Sequence, residues 1–242
     1  MSIATTVKYK DIFNQVAGSL NAISVPILGS ATTTNQVSDD PIYSEYEIME
    51  VILAAEYELA RAICSTSSNG RKLLYLDTPF ETTTNPANVP SYLGQIVDVQ
   101  IRPNNGDSYR VAEPANQALI SKLSTGSNPL SLTLHNGLYS IVNNVLWFTG
   151  YQAKVRYCNY QKPSSPTDAA SLATLLNTLA NIPDDCLIPV SIIAIAKITP
   201  KEGSMVGAAS YYAQLAQGVI QGIVDGHPPI TDFQQFQTSA DK

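Results

Sequence analysis

The hydrophobic period of this chain changes twice, and that alternation constrains the fold more than any single motif does. Apolar residues recur at helical spacing as far as Cys64, alternate in the manner of strands from about 73 to 160, and return to helical spacing from Thr167 to Val224. Helices, a strand-rich segment and helices again make an α+β class: a helical bundle carrying a strand-rich antiparallel insertion. With 242 residues the chain can enclose a sizeable core. We read one domain, with helices over about 6–64 and 167–224, the β insertion over about 73–160 and a C-terminal tail at 227–242.

The individual elements follow from spacing and punctuation. Ile12, Val16, Leu20 and Ile23 predict a first helix over Thr6–Ile23, with Thr5 or Thr6 as N-cap and Pro26 and Gly29 beyond its end. Ser44 and Glu47 form the S-x-x-E pattern of a capping box, ahead of a helix over Tyr43–Cys64. In that helix Ile48, Ile52, Ala55, Leu59 and Ala62 make one stripe, and Met49, Leu53 and Ala60 widen it. In the insertion, Val97, Val99 and Ile101 alternate with Asp98, Gln100 and Arg102, which predicts a half-exposed strand. Leu138–Phe148 reads as a hairpin about Asn143-Asn144, since Asn tolerates positive φ. Its arms are apolar on both sides, so they are either sandwiched or at an interface. Pro114–Leu123 holds a short helix, and Ala153–Tyr160 is the last strand. Thr167 or Asp168 then caps a helix through Leu172 and Leu176. A second helix starts near Pro183-Asp184-Asp185, with Pro189 confined to its first turn, and a third spans Met205–Val224.

Composition narrows the function classes. Charged residues are 14% of the chain, against roughly a quarter in ordinary domains, while 71 residues are Ser, Thr, Asn or Gln. Such a surface forms hydrogen bonds but is weakly ionic, as suits a subunit covered by neighbours. The net charge of −6 disfavours nucleic-acid binding by a basic patch, because that binding relies on Lys and Arg displacing counterions from phosphates. Cys64, Cys158 and Cys186 have neither disulfide-framework nor zinc-ligand spacing and read as buried free thiols. No signal peptide and no transmembrane helix is expected, and the chain is expected to be soluble and made in a reducing cytoplasm.

The search for chemistry is short. There is no phosphate loop, no G-x-G-x-x-G after a strand and no G-x-S-x-G elbow. The two histidines, His135 and His227, sit beside turn residues, and the pairs Asp39/Asp40 and Asp184/Asp185 stand where helices begin. The expectation is no enzyme, with no catalytic residue, cofactor or metal.

The second half has a distinctive order. The hairpin arm Leu138–Phe148 leads to a strand ending in Tyr157-x-x-Tyr160, then to a Pro-rich loop, then to Ile182-Pro183-Asp184-Asp185 opening a helix. The last helix contains Ala208-Ala209-Ser210-Tyr211-Tyr212-Ala213-Gln214-Leu215. Over about residues 135–224 this order resembles the head-to-tail adaptor (connector) proteins of short-tailed bacteriophages, including the ring proteins of the crAss-like group. The resemblance implies a virion structural protein of the tail or neck, made in the host cytoplasm. Its partners would be itself in a ring, the portal protein, and the next tail ring or nozzle protein. DNA would pass through without sequence-specific binding, and no membrane would be involved. Under this reading Phe233, Phe236, Trp147, Tyr211 and Tyr212 are the expected assembly contacts. Glu45, Glu50, Glu56 and Glu58 would form an acidic face able to repel the DNA backbone. The alternative is a carbohydrate- or receptor-binding decoration module, with Trp147 and loop tyrosines stacking on sugars.

Overall fold

A computed structural model describes residues 6–20, 43–66, 72–76, 78–124, 137–199 and 206–225. They form an α+β fold whose strands lie between helices in sequence. The chain divides into two compact units, one spanning Lys72–Tyr160 and the other made of the flanking helical segments.

In the helical unit, α1 is Tyr9–Ser19, α2 Glu45–Ser65, α4 Ala169–Asn177, α5 Leu187–Ile198 and α6 Val206–Val224; the intervening α3 belongs to the other unit. Helix α5 is the axis, with α1, α2 and α6 packed against it. Its sequence explains why: Val190, Ile192, Ile193, Ala194, Ile195 and Ile198 are all buried, as a helix apolar on every side must be. Each such isoleucine contributes roughly 1.5–3 kcal/mol of transfer free energy. Pro189 falls in the first turn, where its missing N–H breaks no bond. The buried Ser191 hydroxyl donates back to Leu187 O at 2.9 Å. Helix α2 begins with the capping box expected of it: Glu47 N–H donates to Ser44 Oγ, and the Ser44 N–H to the Glu47 carboxylate. Asp168 caps α4 through the Ser171 N–H, which holds its carboxyl below the ordinary value.

The start of α1 differs from expectation. Lys8 is the N-cap, and Asp11 closes the box by accepting from the Lys8 N–H at 2.9 Å. Thr6 and Val7 are pulled out of the helix by a distant residue. The Asp184 carboxylate accepts from the Thr6 N–H and hydroxyl, both at 2.7 Å, and from the Val7 N–H at 3.2 Å. Residues 7–9 then run antiparallel to 178–180, with Ala180 N–H donating to Val7 O and Tyr9 N–H to Thr178 O. Asp184→Ala should speed amide hydrogen exchange at Thr6 and Val7 while leaving the centre of α5 protected; unaltered exchange at those two amides would show that the carboxylate does not hold the segment.

Among its described residues the other unit has eight short strands: β1 Phe80–Thr82, β2 Ala87–Asn88, β3 Ile96–Arg102, β4 Arg110–Val111, β5 Glu113–Pro114, β6 Leu138–Val142, β7 Val145–Phe148 and β8 Gln152–Tyr157. They form two four-stranded sheets, ordered β1-β8-β3-β4 and β2-β7-β6-β5. All pairings are antiparallel except β5 with β6, which is parallel. The sheets face each other across one core, with Val99, Ile101, Val155 and Tyr157 from the first meeting Leu146 and Phe148 from the second. The hairpin between β6 and β7 turns through Asn143 and Asn144, at φ 52° and 61°. A bulge in β3 between Ile96 and Asp98 shifts the alternation, so Ile96 rather than Val97 packs toward the core. Helix α3, Gln117–Ser124, lies on β6 and β7 with Ile120 fully buried. The apolar hairpin is therefore sandwiched. At the crossing from β7 to β8, Gly150 has φ 116°, and a Cβ there would lie 2.7 Å from Ile101 Cγ2 and 3.0 Å from Arg102 O.

Candidate assembly surface

The residues expected to make contacts fall in different surroundings. Phe233 and Phe236 lie outside the described residues, as do His135, His227 and the Asp39/Asp40 pair. Trp147 pairs with Ser140 on the face of β7 opposite Leu146 and Phe148, the side against which α3 packs, and it is only half-exposed. That cover limits its use as an open stacking platform. Tyr211 and Tyr212 stand on α6 with ring centroids 5.5 Å apart in an edge-to-face pair. Tyr211 is 41% exposed and Tyr212 half-buried.

Among the described residues of the helical unit, the outer side of α6 is the clearest unpaired surface. Leu215, Ala216, Val219 and Ile223 face inward and are buried. Ser210, Tyr211, Gln214, Gln217 and Gln221 are exposed, and no ionised side chain appears among the helix's residues. The first is Asp225, just past its end, which accepts from Gln221 Nε2 at 2.9 Å.

The acidic face on α2 requires correction. Glu56 is fully buried. Its carboxylate accepts from the Tyr9 hydroxyl at 2.6 Å and from the Asn181 N–H at 2.8 Å, fastening α1 and the segment after α4 to α2. The reason is positional: Glu56 lies four residues from Ile52 and from Ala60, inside the apolar stripe. Burial, and then the adjacent Glu56 charge, push the Tyr9 phenol well above its ordinary value, so it remains a donor. Glu58 is half-exposed and pairs with Lys197 of α5 at 2.5 Å. Glu45 is half-buried, and desolvation raises its carboxyl above the ordinary value. Glu50 alone of the four is open to solvent. It shares the outer side of α2 with Tyr46 and Tyr57, each 39% exposed.

A second cluster, not singled out by sequence, covers the outer face of the first sheet. Tyr109, just before β4, places its ring under two cations: the Arg102 guanidinium carbon is 4.6 Å and Lys154 Nζ 5.2 Å from its centroid. Glu81 gathers the group by accepting from Lys154 at 2.9 Å, Tyr109 at 3.2 Å and Gln152 at 3.3 Å. The Lys154 ammonium holds the Glu81 carboxyl below its ordinary value, with Tyr109 and Arg102 acting in the same direction. Next to it Arg156 grips Asp98, its Nε 2.9 Å from both carboxylate oxygens. Arg102 has no carboxylate partner among the described residues, and its Nε is buried without a hydrogen bond. The signal available in sequence was the strand alternation that put Arg102, Lys154 and Arg156 on outward positions. The turn that returns Tyr109 over them had none.

Cys64, Cys158 and Cys186 are all buried, and the Cys158 thiol points its Sγ at Lys72 O, 3.6 Å away. Among the described residues no group of His, Cys, Asp or Glu is placed to hold a metal ion. None of the described helices is long and apolar enough to cross a membrane. Compared with models of known protein families and with curated proteins, the sequence matches none.

Proposed function

We propose that this chain is the subunit of a ring that joins the capsid portal to the tail of a short-tailed bacteriophage virion and continues the DNA channel. Its partners are further copies of itself, the portal, and the next tail ring or nozzle protein. DNA passes through without being read. The observation that carries this reading is the charge-free outer side of α6. Buried interface cores are depleted in Lys, Glu and Asp and enriched in Tyr, because a charge there loses its hydration without replacement. A helix side of Tyr211, Gln214, Gln217 and Gln221 suits covering by a neighbour. The low overall charge and the order of bundle, insertion and bundle support the same reading. We do not place the channel wall on α2, since Glu56 and Glu58 are already engaged within the chain.

The direct test is the native mass of the purified protein, alone and mixed with the portal of the same virion. A closed oligomer or a portal-bound ring is expected, and a protein monomeric in both conditions would refute the proposal. Tyr211→Glu combined with Gln214→Glu should weaken assembly at least about tenfold, because two carboxylates would be desolvated at the contact. Both sites are exposed, so the helical circular dichroism should stay as in the parent.

A further inference from the structure

We infer that Arg102 of one copy takes Glu50 of the next, so that the outer face of the first sheet docks on the outer side of α2 of a second copy. This rests on the ring reading above and specifies one of its contacts.

Arg102 is a held but unspent cation. Its guanidinium carbon lies 4.6 Å from the centroid of the Tyr109 ring, and the carboxylates of Glu81 and Asp98 on that face are committed elsewhere, to Lys154 and Arg156. Its Nε is enclosed, which leaves the two terminal amino groups to meet a carboxylate end-on, in the two-pronged geometry that favours Arg over Lys. Glu50 is the matching group. It is exposed, without a charged partner among the described residues, and lies one turn from Tyr46 and two from Tyr57. An Arg beside a Tyr, meeting a Glu between two Tyr, is the composition of an interface anchor.

The two halves of the contact sit on different units of the chain and are unlike each other. Such a contact joins head to tail, and head-to-tail contacts close into rings when the rotation permits. The excess of carboxylates in this chain, 20 acidic against 14 basic residues, favours a second copy as the source of the acid.

The test is a charge exchange read by native mass and by the concentration at which oligomers half-dissociate. Arg102→Glu and Glu50→Arg should each raise that concentration about tenfold or more, since each sets like charges opposite one another. The chain carrying both changes should recover to within about threefold of the parent. A mixture of the two single variants should also assemble, because each supplies what the other lacks, whereas neither does so alone. Recovery in the double variant guards against a folding defect in either single one. If the parent assembles and the reversals have no effect, or the double variant is no better than the singles, this contact is wrong while the ring reading stands. Loss of portal binding with self-assembly intact would assign Arg102 to the portal and overturn the inference. A parent that stays monomeric with and without portal removes both.

Discussion

Replacing Glu56 by alanine should cost the helical unit about 3 kcal/mol or more. The change leaves the Tyr9 hydroxyl without its acceptor in a site closed to water and removes a part-buried bond from the Asn181 N–H; a buried orphan costs roughly 1–3 kcal/mol and a lost hydrogen bond about 1 kcal/mol. The space vacated by the side chain adds a cavity penalty. For a chain of this size the loss corresponds to a melting temperature lower by about 6–12 °C. Tyr9→Phe should be milder, near 1–2 kcal/mol, because it removes one donor and leaves the carboxylate its bond from Asn181. The double variant should cost less than the sum of the two, since both changes break the same hydrogen bond. Urea unfolding followed at 222 nm provides the measurement. A Glu56→Ala loss below about 1 kcal/mol would show that the carboxylate is not a fastening between α1, α2 and the segment after α4.

Gly150→Ala should be the most damaging small change in the strand unit. At φ 116° the backbone occupies a region that L side chains avoid, and the added methyl would press on Ile101 Cγ2 and the Arg102 carbonyl. The strain costs of order 1–3 kcal/mol and the overpacking a similar amount. The carbonyl cannot rotate away, because it accepts from the Tyr151 N–H at 2.9 Å. Gly137 is also closed in: a Cβ there would meet Ile101 Cβ and Cδ1 at 2.8 Å and Cγ2 at 2.9 Å. Trimming Ile101 to alanine leaves its Cβ in place, so it should offset only part of the Gly137→Ala penalty. At Gly150 the trim removes the Cγ2 contact but neither the positive φ nor the Arg102 carbonyl. Full rescue of Gly150→Ala by that trim would mean that the backbone at Gly150 is not constrained as described.

Local signals in the sequence carried much of the fold. The Ser44/Glu47 box, the Asp168 cap and the Asn143-Asn144 turn each act over three or four residues, so each is readable without knowing the rest of the chain. Thr6 was misread as part of a helix because its partner, Asp184, is 178 positions away. The bulge at Ile96–Asp98 had no local mark and exchanged Ile96 for Val97. Glu56 was legible in principle: a carboxylate in step with Ile52, Leu59 and Ile63 sits on an inward stripe, but the charge of its neighbours drew it into the outer face. On the outer side of α6, Tyr211 was marked through the resemblance carried by the last helix. The Arg102–Tyr109 stack was not, because a turn brings together residues that no period relates.

The brevity of the outermost strands has a consequence for how copies can meet. Among the described residues the sheets end in β1 and β4, and in β2 and β5, which are two or three residues long, and β5 contains Pro114. Such margins give an incoming backbone too little ladder to template on, and proline removes a donor where pairing would start. Copies that meet at high concentration are thereby steered away from fibrous sheet extension. Recognition is left to side chains, whose contacts have a fixed geometry and an end.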